Sequence, residues 1–170
     1  MRRVSVPTSR VAIIGAGASA LVLDLVQRGY QSIDAVDVSA AALDQLAARL
    51  GNDSGRVRYV CADVREVRFD GSIDVWHDRA TFHFLTSCDD QARYVQRVCD
   101  AVPTGGHVVL ATFSEMGPEQ CSGLPVVRHS VAALCGLFGE SFELIDSLDR
   151  EHTTPWGAPQ AFTHVLFRRR

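Results

Sequence analysis

The chain has 170 residues, 46% hydrophobic and 22% charged, with a formal net charge of −3. That balance matches an ordinary soluble domain large enough for its own core, and it excludes a global attraction for nucleic acid. No apolar run approaches the roughly 20 residues that span a bilayer, and Met1-Arg2-Arg3 leads into Val4-Ser5-Val6-Pro7 rather than a signal core, so the expectation is a single cytoplasmic domain over 1–170 with no membrane partner.

An apolar run at 11–15 breaks into Gly15-Ala16-Gly17-Ala18-Ser19, which predicts a strand, a tight turn and a helix at about 18–28. A strand at 33–37 ends in Asp37, and Ser39 is the predicted N-cap of a helix over 39–50. Gly29 and Gly51 stand where these two helices should stop. Further on come strands at 57–61 and 73–76, a helix at 89–102, a strand at 106–113 and a helix at 130–138. The runs at 142–149 and 161–168 are strand-like with no helix between them, so they should pair antiparallel. The expected fold class is α/β: three-layer and Rossmann-like, with a mostly parallel seven-stranded sheet ending in an antiparallel hairpin.

Five cysteines at irregular spacing without a CxxC pair argue against a disulfide framework and a zinc module. His129 and Cys121 lack a second pair, so no metal is expected. The tail Arg168-Arg169-Arg170 reads as a solvated end, and no nucleic-acid partner is expected.

Gly15-x-Gly17-x-x-Ala20, followed roughly 20 residues on by Asp37, suits a ribose-bearing ligand, because glycines let main-chain N–H groups approach and an acid accepts from two hydroxyls. By itself this loop also fits nicotinamide- and flavin-binding proteins. After it come Cys61-Ala62-Asp63-Val64, Ile73-Asp74-Val75-Trp76-His77-Asp78-Arg79-Ala80 and Thr104-Gly105-Gly106-His107, then the terminal hairpin. In this order they resemble the class I S-adenosylmethionine-dependent methyltransferases, over nearly the whole chain from Val11. Trp76–Ala80, Gly123–His129 and His152–Gly157 look like the small bacterial enzymes related to thiopurine and tellurite methyltransferases.

The resemblance implies S-adenosyl-L-methionine as cofactor. Gly15, Ala16 and Gly17 would lie against its methionine part, Asp37 beside Val38 would hold the ribose, and Asp63 beside Val64 would meet the adenine amino group. His77 lies in the fourth motif, which borders cofactor and acceptor. Two departures stand out: Ile13 occupies the place of a usual acid, and only ten residues precede the first strand, where a capping segment is usual. A more open site with weaker cofactor affinity follows.

Asp78, expected just past a central strand, is the first candidate for base or acceptor-orienting group, with a helix cap or ion pair as its plain alternative. Arg79 would hold an anionic acceptor or stabilise a thiolate, and His83 is a further candidate base, each with local packing or pairing as its alternative. His152 and Trp156 would close the pocket from the hairpin.

The expected activity is methyl transfer to a small molecule, with thiol, selenol or heterocycle attractive. A protein side chain is the competing acceptor, and an NAD-binding redox or sensor domain or a non-catalytic cofactor-binding protein are the other readings. The absence of an Asn/Asp-Pro-Pro-Tyr/Phe signature at Trp76–Arg79 speaks against DNA methylation. A homodimer stays open as an assembly.

Overall fold

The computed structural model describes residues 4–17, 19–154, 157 and 159–170. Five parallel strands, β1 (Arg10–Ile14), β2 (Ser32–Asp37), β3 (Val57–Cys61), β4 (Val75–Arg79) and β5 (His107–Phe113), form most of a seven-stranded sheet. A two-stranded ribbon, β6 (Gln120–Cys121) and β7 (Leu124–Pro125), stands apart from it. The long strands β8 (Phe142–Thr153) and β9 (Pro159–Arg169) complete the order β3-β2-β1-β4-β5-β9-β8, with β9 antiparallel to both its neighbours. The predicted fold class is therefore the one observed.

Four helices cover the sheet: α1 (Ala20–Gln27), α2 (Ala40–Leu50), α3 (Cys88–Ala101) and α4 (Val131–Phe138). Each starts at a serine, Ser19, Ser39, Ser87 or Ser130, whose side-chain oxygen accepts a main-chain N–H of the first turn. Gly29 and Gly51 follow the first two helices as predicted.

Val11, Ala12, Ile13 and Ile14 are all buried because β1 is covered on both faces, which is why a parallel strand reads as unbroken apolar sequence. Ala12, Ile14, Val36 and Trp76 pack with Tyr94 and Val98 of α3 and Leu134 of α4. Val11, Ile13, Ile33 and Val75 pack with Val22 and Leu25 of α1 and Leu46 of α2.

Two elements differ from the sequence expectation. β4 runs 75–79 rather than 73–76, since Asp78 and Arg79 stay in register with Leu110 and Ala111 although His-Asp-Arg resembles the polar end of a strand. The β6–β7 ribbon went unpredicted, being too short for any periodicity.

At the amino edge of the sheet a buried acid ties three strands together. Asp34, 2% exposed, accepts from Arg10 Nε at 2.8 Å and from Arg58 Nε. Both arginines also reach Asp70, at 3.0 Å and 2.7 Å. Removing the shared acid leaves two arginines facing one another, so Asp34→Ala should lower stability by about 2–4 kcal/mol in urea denaturation, with no change in far-UV circular dichroism of the folded state.

Candidate functional site

A crevice of about 600 Å³ opens at the carboxyl edge of β1 to β4, where parallel sheets place their ligands. Gly15, at φ +62°, forms its floor and leaves no room for a larger residue: a Cβ there would lie 1.9 Å from Thr81 Oγ1. The Thr81 hydroxyl donates to the Ile14 carbonyl at 3.4 Å, so the turn after β4 presses against the glycine turn after β1.

Asp37 ends β2 at the crevice wall. The Gly17 N–H donates to its Oδ2 at 2.7 Å and the Ser39 N–H to its Oδ1 at 2.9 Å. A carboxylate has about four acceptor positions, so each oxygen retains capacity for a hydroxyl in the crevice. Gly17 serves this acid, and neither it nor Ala16 lines the crevice. Ala16 is buried with its N–H on the Val36 carbonyl at 2.9 Å, and Gly17 hands its N–H to Asp37.

Asp63 and Val64 follow β3 and line the same crevice, with exposed Val38 opposite. Asp63 is already engaged: Arg65 Nη2 lies 2.5 Å from its Oδ2 and Arg65 Nε lies 2.9 Å from its Oδ1. The same guanidinium reaches Asp90 at the start of α3 at 2.8 Å. These hydrogen bonds hold the Asp63 and Asp90 carboxyls below the ordinary carboxylate range and raise Arg65.

The fourth-motif residues take places other than those expected. Asp78 lies within β4, fully buried, and does not line the crevice. Its Oδ2 accepts from the Tyr94 hydroxyl at 2.7 Å and its Oδ1 from the Thr81 N–H at 2.9 Å, while Trp76 Nε1 donates to the Tyr94 oxygen at 2.9 Å. These bonds make Asp78 a cap on the turn at 81–84, the plain alternative for this residue. Burial raises its pKa to about 6, against those same donors.

Arg79 and His77 point to the opposite face of β4 from Asp78. The Arg79 guanidinium carbon lies 5.6 Å over the Phe162 ring, and Arg79 does not line the crevice. His77 is likewise absent from the crevice wall, and burial lowers its pKa to about 4. His83 is 0% exposed with both ring nitrogens unpartnered, packed 4.6 Å from Phe84 and 4.5 Å from Phe113 between centroids. Burial, with His129 nearby, lowers its pKa to about 4, so it stays neutral and shielded from any acceptor in the crevice. Exposed His152 does not line the crevice, and Trp156 lies outside the described residues.

Sequence reasoning missed Thr81, the Arg65–Asp90 link and the ribbon, whose Leu124 and Pro125 line the crevice. Ala80 also lines it in a left-handed conformation, φ +67°, held by its N–H on the Ala111 carbonyl at 2.9 Å. Among the described residues no group of three or more His, Cys, Asp or Glu could hold a metal ion, and no helix is long and apolar enough to cross a membrane.

A family model described as methyltransferase domain matches residues 11–106, more than half of the chain. The "eEF1A lysine and N-terminal methyltransferase" of Bos taurus is 27% identical over 104 residues, 61% of this chain; the chain spans 15% of that relative's length. The solved S-adenosylmethionine-dependent methyltransferase of Methanosarcina mazei shares 15% identity at a TM-score of 0.82, covering 99% of this chain and 95% of that one. The 1,6-didemethyltoxoflavin-N1-methyltransferase of Burkholderia thailandensis, solved with 1,6-didemethyltoxoflavin and S-adenosylhomocysteine, shares 21% identity at a TM-score of 0.75, covering 95% and 71%. At these identities the likeness to solved structures is one of fold.

Two outcomes follow from this packing. Gly15→Ala should destabilise the protein by about 2–4 kcal/mol through clash and positive φ, and Thr81→Ala in the same chain should recover part of that loss, read as a non-additive double-mutant cycle in urea. His83 and His77 titrate near 6.5 when unfolded and near 4 when folded, so their contribution is complete above pH 6.5 and lost as pH falls to 4. Asp78 works the other way, gaining as pH falls from about 6 to 3.8, but one acid opposes two histidines. The melting temperature should therefore fall between pH 7 and pH 4.5, and His83→Phe should shrink that fall by roughly 3–6 °C.

Proposed function

The chain belongs to the methyltransferase domain family, and on that premise we propose that it uses S-adenosylmethionine to methylate a small molecule, with a sulfur, selenium or heterocyclic nucleophile favoured. The observation that carries this reading is Asp37. It is a carboxylate at the end of a parallel strand, oriented by two main-chain N–H groups, with acceptor capacity left on both oxygens beside a glycine floor.

These residues fit an adenosyl sulfonium. Asp37 would hold the ribose hydroxyls, Asp63 the adenine amino group, and Val38, Val64 and Leu85 would give a flat base apolar contact in the same crevice. Arg65 donates three hydrogen bonds to Asp63, two to Oδ1 and one to Oδ2, so one acceptor position on Oδ2 is left for this. Ile13 is 3% exposed in the α1/α2-side core, so no carboxylate replaces the usual acid, and the cofactor's amino end falls to the main chain around Gly15.

When bound, the cofactor supplies an electrophilic methyl group on a sulfonium whose leaving group is neutral. The protein's task is therefore alignment and exclusion of water rather than covalent catalysis. Thr81 holds the glycine turn in place, and the apolar side chains of Phe84, Leu85, Leu124 and Pro125 exclude water over the rest of the crevice.

A protein amine is the second reading, supported by the name of the bovine relative. Mass shifts on lysate proteins, set against turnover of small thiols, separate the two.

Calorimetric titration with S-adenosylhomocysteine and with NAD tests the cofactor. Binding of the former is expected, and binding of NAD alone overturns the reading. Asp37→Ala should weaken S-adenosylhomocysteine by about 10- to 100-fold, the worth of two charge-assisted hydrogen bonds, with the fold checked by circular dichroism.

A further inference from the structure

The crevice is divided by chemistry. Its charged side chains are Asp37, Asp63, Arg65 and Asp90, the ends of β2 and β3 and the start of α3. The wall beyond β4 is uncharged and mostly apolar: Ala80, Phe84 and Leu85 with Thr81 and Thr86 from the segment after that strand, and Leu124 and Pro125 from the β6–β7 ribbon.

That ribbon is a fixed arm. Its turn residues Ser122 and Gly123 both have positive φ, +52° and +79°, the conformation a two-residue hairpin requires. Its root is tied by the Val126 N–H to the Glu119 carbonyl at 3.1 Å, the Val127 N–H to the His83 carbonyl at 2.8 Å and the Arg128–Glu119 pair at 3.1 Å. Leu124 nevertheless remains 57% exposed, an apolar side chain held out at the crevice by a rigid support.

Titratable groups near this wall are turned elsewhere. Asp78 caps the 81–84 turn from inside the core, His83 is sealed by Phe84 and Phe113, and Arg79 lies over Phe162. Among the described residues, the wall beyond β4 thus offers the crevice no base, cation or anion.

Resting on the methyltransferase reading above, we propose that the β6–β7 arm, through Leu124 and Pro125 facing the crevice with Phe84, selects an acceptor with an uncharged apolar body. The attacking atom of that acceptor needs no proton removed by the protein. A sulfur ionised in water or an unprotonated aromatic ring nitrogen meets this condition. The nucleophile's lone pair forms the bond to the methyl carbon while the carbon–sulfonium bond breaks, its electron pair staying on the departing sulfur. A thiolate becomes a neutral thioether and a ring nitrogen becomes an N-methyl cation, so no proton changes hands.

The test uses the full chain saturated with S-adenosylhomocysteine and two pairs of probes: benzenethiol with 4-mercaptobenzoate, and isoquinoline with isoquinoline-5-carboxylate. At least one carboxylate-free member should bind about tenfold more tightly than its carboxylated partner. Leu124→Glu should remove that preference and Leu124→Met should keep it, each variant being held at saturation with S-adenosylhomocysteine. With S-adenosylmethionine, the pH dependence of methylation should follow the acceptor's own ionisation. Equal or better binding of the carboxylated members, no effect of Leu124→Glu, no binding of any probe to the cofactor-loaded protein, or a pH profile independent of the acceptor overturns the proposal. Failure of S-adenosylhomocysteine itself to bind overturns the methyltransferase reading, and this proposal with it.

Discussion

A carboxylate with no access to water organises this molecule. Asp78 sits in the central strand β4 and accepts from the Tyr94 hydroxyl of α3 and from the main chain of the turn that follows β4. Trp76 joins the same chain through Tyr94, so strand, helix and turn share one set of hydrogen bonds. A buried acid left unpaired would be costly, and the Tyr94 hydroxyl with the N–H groups of Thr81 and Phe82, the last at 3.4 Å, offsets that burden. Thr81 is thereby placed against Gly15, and the floor of the crevice takes its shape.

That arrangement separates support from recognition. Asp78 and His83 are taken up by the core, and Arg79 by the far face of the sheet. The crevice itself is lined by Asp37, Asp63 and the glycine turn, and by apolar side chains such as Leu85 and Leu124. Methyl transfer from a sulfonium suits such a site, since the leaving group departs neutral and position outweighs proton traffic.

An element outside the main sheet also borders the crevice. The β6–β7 arm brings Leu124 and Pro125 to the crevice and is braced through the main chain of His83 and the Arg128–Glu119 pair. At the opposite edge of the sheet, Arg10, Arg58 and Asp70 close around Asp34 and hold β1, β2 and β3 together at their beginnings.

Sequence alone determined the order of the main strands and helices, the antiparallel end of the sheet, the glycine turn at Gly15 and the strand end at Asp37. Each of these is written locally: an unbroken apolar run for a doubly covered strand, a serine at each helix start, a glycine where φ is positive, an acid where a buried strand stops. Only the tertiary structure decided which polar residues face the crevice. Asp78 and Arg79 read as a strand end until pairing with Leu110 and Ala111 shows that β4 continues through them, and strand alternation then sends the two to opposite faces. Arg65 meets Asp90 across 25 residues, and the arm reaches the crevice by contacts with the 82–84 turn. Periodicity carries no record of such encounters, because it reports which side of an element is buried and not what lies against it.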